Sequence, residues 1–247
     1  MSEIKDSVGV READFVGDVY LRNYMVKVYN YMTAGLLVTA FFGWLIANVQ
    51  PIQQMFFQLV ATDNGAYLGL TVFGWIAVIA PLVLVFVINP VLARGNVKGG
   101  FALFMLFSAV MGVSIANVLL IYTGASVARV FVITAAMFAA TSFYGSATKK
   151  DLTSFGSFLF MGLIGIILAM IVNFFLKSPA LYYAISIIGV FVFIGLTAYD
   201  TQKIKAVYNS ADSTSLMQAK AINGALELYL DFINLFIMLI RLIGDRR

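Results

Sequence analysis

The 247-residue chain contains no cysteine and no histidine. The first absence excludes disulfides, thiol catalysis, thiolate metal sites and palmitoylation. The second excludes a histidine-ligated metal enzyme, and it removes the side chain that ordinarily titrates near neutral pH. Any response to pH must therefore come from carboxylates. Charge is scarce as well: 11% of residues are charged against 62% hydrophobic, and the mean hydropathy is +0.94. That balance excludes an ordinary soluble domain and marks an all-α integral membrane protein. The net charge of +4 does not point to nucleic acid, because the basic residues lie in short runs between apolar segments, where membrane topology explains them.

Crossing a bilayer takes about 20 apolar residues, and seven segments are long enough: 26–48, 67–92, 101–123, 126–146, 153–176, 180–200 and 222–243. Residues 1–25 are polar and of mixed charge, without the pattern of a cleavable signal peptide, and read as a short cytoplasmic tail ahead of a transmembrane domain over 26–247. Small residues four apart, Gly124 with Ala128 and Ser142 with Ser146, suggest close helix packing. With the N-terminus inside, the inner side holds Lys5, Arg11, Arg22, Lys27, Arg94, Lys98, Lys149, Lys150, Lys203, Lys205 and Lys220. The outer side holds Arg129, Lys177, Arg241, Arg246 and Arg247. This bias orients the first six spans. Seven crossings leave "RLIGDRR" outside, against the rule, whereas a last segment that turned back would bring it inside. The last segment carries Glu227, Asp231 and Asn234, too polar for lipid, so it is expected in the middle of the bundle.

Of the acidic residues, Asp63, Asp151, Asp212 and Asp245 fall in loops or at the C-terminus and five more in the tail. Asp200, Glu227 and Asp231 remain at or within spans. Glu227 and Asp231 are four apart and share one helix face. Asp231 follows Ile222 by about 14 Å of helix, well inside the membrane. Asp200 stands at the expected end of its span, where burial and the helix dipole both act against the anion. Should Asp200 and Asp231 meet, they would titrate as one coupled unit, so a pH switch without histidine is physically available. Each has a plainer reading: Asp200 as an interfacial residue paired with Lys203, Glu227 as a residue of the inner rim. Arg94, at the inner end of the second span in "INPVLARGNVKGG", is the cation expected to balance the pair, or else a topological anchor.

"GLTAYDTQKIK" and "ALELYLDFINLFIMLIRLIG" resemble the two C-terminal signatures of the transmembrane Bax inhibitor motif family, and "KKDLTSFGSFLF" resembles that family's basic turn into the fifth span. The resemblance covers about residues 20 to 244. It implies a fold of seven transmembrane helices with the last one central, surrounded by the other six. It also implies a pH-sensitive calcium leak of bacterial type, in the inner (cell) membrane, governed by an aspartate pair. By motif position the pair is Asp200 and Asp231, with Arg94 matching an arginine that holds the first aspartate in the closed state. Ca2+ is then the permeant ion, meeting Asp200, Glu227 and Asp231 along the pathway and interacting weakly with Asp200 and Asp231. No cofactor is called for. The partners are the lipid bilayer, Ca2+ and protons.

Other classes make different demands. An intramembrane aspartyl protease would use a Tyr-Asp pair, which Tyr199–Asp200 supplies, and a Gly-x-Gly-Asp motif, which is missing because Asp231 stands in "LYLD"; the chain is not expected to be an enzyme. A non-conducting protein that modulates a membrane protease or a stress or cell-death pathway is the alternative to the leak. A proton-coupled transporter would need Asn117, Thr134, Asn173 and Asn234 to converge.

Overall fold

The computed structural model describes the backbone of residues 2–62 and 65–247 and the side chains of residues 19–60 and 68–247. The carboxylates of the tail and Asp63 lie outside the described side chains. The order is α1 (Ser2–Asn48), α2 (Gln50–Phe56), β1 (Phe57–Thr62), β2 (Gly65–Leu70), α3 (Val72–Ala93), α4 (Val97–Ile121), α5 (Gly124–Ala147), α6 (Thr153–Leu176), α7 (Pro179–Ala206) and α8 (Thr214–Ile243).

Helix starts are written in the sequence. Thr71, Asn96, Thr123, Ser178 and Ser213 each accept a hydrogen bond from the backbone N–H three residues on, satisfying a donor that the first turn leaves free. The turn from α3 to α4 is three residues long and needs a left-handed residue, which Gly95 supplies at φ 77° without a Cβ clash. Short connections keep successive helices antiparallel, so the bundle has two ends. One carries the β1–β2 hairpin, the α4–α5 and α6–α7 turns and the C-terminus. The other carries the lysine-rich turns after α3, α5 and α7.

The protein is an all-α membrane protein of multi-pass type. Among the described residues six helical segments are long and apolar enough to cross a membrane: Val19–Asn48, Val72–Ala93, Val97–Ile121, Gly124–Ala147, Thr153–Leu176 and Pro179–Ala206. Their large apolar side chains point outward, with Phe86, Phe175 and Phe191 each at least 70% exposed, as lipid-facing helices require and soluble ones avoid. The most sheathed helix is α8, the most polar of the long ones after α1. It touches α1, α3, α4, α5 and α7, while α6 packs on α7. Tyr229 of α8 makes edge-on contacts with Phe104 and Phe107, and its hydroxyl lies 2.6 Å from Thr39 Oγ1 of α1.

Three sequence boundaries move. Helix α1 runs unbroken through residue 25, and Tyr24 and Val28 belong to the core, so the membrane domain reaches into the expected tail. The connection expected at 49–66 holds a short helix and a hairpin, whose second strand takes the residues expected to open the second span. Helix α7 continues six residues past Asp200 to Ala206. The small-residue pairs divide as well. A Cβ on Gly124 would meet nothing, and Ala128 is exposed, so that pair packs against no other helix. Ser142 is buried, and the close approach beside it is at Gly145, where a Cβ would sit 2.2 Å from the carbonyl oxygen of Ala198.

Candidate functional site: a carboxylate cavity between three helices

The stretch "TAYDTQKIK" works residue by residue because α7 continues through it. Tyr199 lies against Gly156 of α6, where a Cβ would come 2.4 Å from the ring. Thr201 Oγ1 lies 2.9 Å from Ser142 Oγ, which lies 2.6 Å from the Tyr29 hydroxyl, so one hydroxyl chain ties α1, α5 and α7. Gln202 accepts from the N–H of Leu152 and donates to the carbonyl of Lys150, both at 2.8 Å, holding the "KKDL" turn. Lys205 donates to the carbonyl of Ser146 near the end of α5. Asp200 and Lys203 are left facing inward.

They face a cavity of about 450 Å³ between α6, α7 and α8. Asp200 and Lys203 enter from α7, Glu227, Asp231 and Asn234 from α8, and Ser157 from α6. Lys203 donates to Glu227 Oε1 at 2.8 Å and stands 3.8 Å from Asp200 Oδ1. Asp200 and Asp231 line the same cavity from α7 and α8. Asp231 is 4% exposed, and its Oδ2 has no protein partner. Burying an ion of this size costs several kcal/mol even after relaxation. Asp231 therefore calls for a proton, or for a cation or water brought to it.

The three carboxylates singled out from the sequence are thus brought together, and Arg94 is not with them. Arg94 is the exposed C-cap residue of α3 and forms no ion pair with Asp200; Lys203 is the cation at the pair. The spacing of three residues from Asp200 to Lys203, one helical turn, was the available signal. Among the described residues no three acidic groups are clustered tightly enough to hold a metal ion. Nor do the four scattered polar residues converge. Asn234 lines the carboxylate cavity, Asn117 lines another, Thr134 bonds within its own helix, and Asn173 accepts from the N–H of Ser178.

Asn223, Glu227, Leu230, Asn234, Ile237 and Arg241 are half-buried, while every other residue of α8 from Ala221 to Ile240 is buried. Their spacing of three and four places them on one face of α8. The face runs from the carboxylate cavity, at Glu227, Leu230 and Asn234, to a second cavity at the hairpin end, at Ile237 and Arg241.

A family model described as inhibitor of apoptosis-promoting Bax1 matches residues 21–247. The chain is 48% identical over 229 residues to the inner membrane protein YbhL of Escherichia coli (strain K12), covering 92% of this chain and 93% of that protein. It is 45% identical over 230 residues to an uncharacterized protein of Rickettsia prowazekii, covering 93% and 92%. With an uncharacterized protein of Caulobacter vibrioides the identity is 40% over 242 residues, covering 98% and 96%.

Proposed function

We propose, from the premise that this chain belongs to the Bax inhibitor family, that it is a pH-sensitive calcium (cation) leak gated by Asp200 and Asp231. The observation that carries the reading is the convergence of three carboxylates on one cavity beside the half-buried face of α8.

In this reading α8 is the seventh crossing. Its 30 residues span about 45 Å, more than the ~30 Å of hydrocarbon. Its polar residues are tolerable because other helices, rather than lipid, surround most of it. The lysine-rich end faces the cytoplasm, together with the N-terminus, by the excess of basic residues on that side. The membrane is the inner membrane, the one named for the Escherichia coli relative.

When Asp200 and Asp231 share a proton, α8 sits closely against α7 and the route is closed. Loss of that proton leaves negative charge which Lys203 offsets in part, and a divalent cation is drawn in. Carboxylate oxygens suit Ca2+, but two or three are too few for a tight site, so water completes the shell. Weak binding favours conduction, because the ion must leave again. Lys203 takes the part that the sequence assigned to Arg94: an internal cation competing with the permeant one.

The test is Ca2+ entry into dye-loaded liposomes containing the purified protein, from pH 5 to 8, for the natural protein and Asp231→Asn. Flux that rises with pH, and whose pH dependence disappears in the variant, is the expected result. Absence of flux at every pH from folded protein would overturn the leak and leave a non-conducting modulator of another membrane protein.

A further inference from the structure

We infer that the hairpin end of the bundle carries a binding site for an oxyanion of the phosphate class, built from Arg241, Arg246, Tyr122 and Tyr182. The inference does not depend on conduction.

A second cavity of about 450 Å³ lies between α3, α4, α7 and α8, and both arginines and both tyrosines line it. Among the described residues no acidic one does. The Arg241 guanidinium lies over the Tyr182 ring, 5.2 Å from its centre, and that of Arg246 over the Tyr122 ring at 6.0 Å, both within cation–π range. A cation–π contact is not a hydrogen bond and uses no acceptor, so the guanidinium fork can still grip an oxyanion in bidentate fashion. Among the described residues neither arginine has a carboxylate partner. The acid nearest in sequence, Asp245, is taken by Arg129.

Arg246 is held in place by backbone bonds. Its residue forms an antiparallel bridge with Tyr122. The N–H of Thr123 donates to the carbonyl of Asp245, and that of Arg247 to the carbonyl of Ile121. The N–H of Asp245 donates to Ser126 Oγ. A cation in the last turn of a helix interacts well with the helix dipole, which accounts for Arg241 alone. It does not account for Arg246, which lies beyond the helix and is fastened over the same cavity. Two guanidiniums brought together without an anion repel each other, and a shared oxyanion removes that cost.

The chemistry narrows the ligand. Two guanidinium forks and two phenol hydroxyls offer more donors than a single carboxylate accepts, and match a tetrahedral phosphate. The rest of the wall is largely apolar, including Met111, Ile115 and Ile240, so a phosphate attached to an apolar body fits as well as a free one. The source is a soluble phosphate or the headgroup of an anionic phospholipid.

The experiment uses the purified full-length protein. Inorganic phosphate is titrated against thermal stability in detergent at constant ionic strength, with chloride as the control. In parallel, the protein is reconstituted in phosphatidylglycerol or phosphatidylcholine vesicles and re-extracted, and the retained phospholipid is counted as phosphorus. Arg241→Gln and Arg246→Gln are compared with Arg246→Lys, which keeps the charge and loses the fork, and with Arg247→Gln. Saturable stabilisation by phosphate, weakened at least about tenfold in the first three variants and unchanged in Arg247→Gln, supports a soluble ligand. Without a phosphate effect, preferential retention of phosphatidylglycerol that the same variants lose supports a lipid headgroup. Neither effect, or effects equal in all variants, overturns the site.

Discussion

The Lys203 ammonium on α7 donates across 2.8 Å to the Glu227 carboxylate on α8, one helical turn from Asp231. That bond joins the two helices where their acids meet and sets the charge of the cavity. Replacing Lys203 by Gln removes the only cation among the described residues that line it. The acids then hold protons to higher pH, so the midpoint of pH-dependent flux should move upward. Unit charges at 4 Å interact by about 4 kcal/mol at an effective dielectric of 20. Lys203 is 43% exposed in its side chain, and water screens the interaction, so a shift of roughly one pH unit is expected. The plateau above the midpoint should also rise, because the competing ammonium is gone. Arg94→Gln should change neither quantity. Flux titrations of both variants check this, and an equal shift from Arg94 would return the role to that residue.

Gly145 is where α5 and α7 come closest, with the Ala198 carbonyl 2.2 Å from any Cβ placed there. The obstacle is backbone, which cannot swing aside. Gly145→Ala should therefore cost about 1–3 kcal/mol, the usual range for overpacking. Gly124→Ala, with open space around it, should stay within about 0.5 kcal/mol. Thermal unfolding in detergent compares them. Equal losses would mean that the α5–α7 approach is looser than described.

These two glycines also show what the sequence could carry. Spacing finds helix faces, so it paired Gly124 with Ala128 and Ser142 with Ser146. It cannot say which face meets another helix and which meets lipid, because lipid-facing and buried residues are equally apolar here. The carboxylates were legible for the opposite reason: an acid inside an apolar run is costly wherever the fold places it. Lys203 was legible as a topological charge and as a neighbour of Asp200, but its bond to Glu227 was not, since that depends on how α7 rotates toward α8. Strand β2 took residues 67–70, which read as continuous with the second span, and Arg94 failed because proximity along the membrane normal does not imply proximity across the bundle.

Asp151 sits in the turn before α6, and its Oδ1 accepts from the N–H of Thr153 at 2.9 Å. Bonds from the Thr153 side chain and backbone hold its carboxyl below the usual range. A carboxyl depressed in the folded state contributes stability that is present above its unfolded value and lost as pH falls through the folded one. Asp151→Ala should therefore lower the unfolding temperature at pH 6, and the difference should shrink to nothing in acid below the carboxylate range. A difference independent of pH would assign the effect to the α6 start alone.

Tyr24 and Tyr229 are both fully buried, and their hydroxyls differ. That of Tyr229 lies 2.6 Å from Thr39 Oγ1, which itself donates to the carbonyl of Ser108; donation from Tyr229 therefore completes a junction of α1, α4 and α8. That of Tyr24 has no protein partner, although its ring contacts Tyr208 at 5.4 Å. Removing a satisfied hydroxyl forfeits a bond worth about 0.6–1.5 kcal/mol between membrane helices or within a core. Removing one without a protein acceptor forfeits none, while the ring keeps its packing. Tyr229→Phe should lower stability by that amount, and Tyr24→Phe should leave it unchanged or raise it by up to about 1 kcal/mol. Unfolding of the two variants under one condition separates the cases. A loss in Tyr24→Phe matching that of Tyr229→Phe would show that its hydroxyl is engaged.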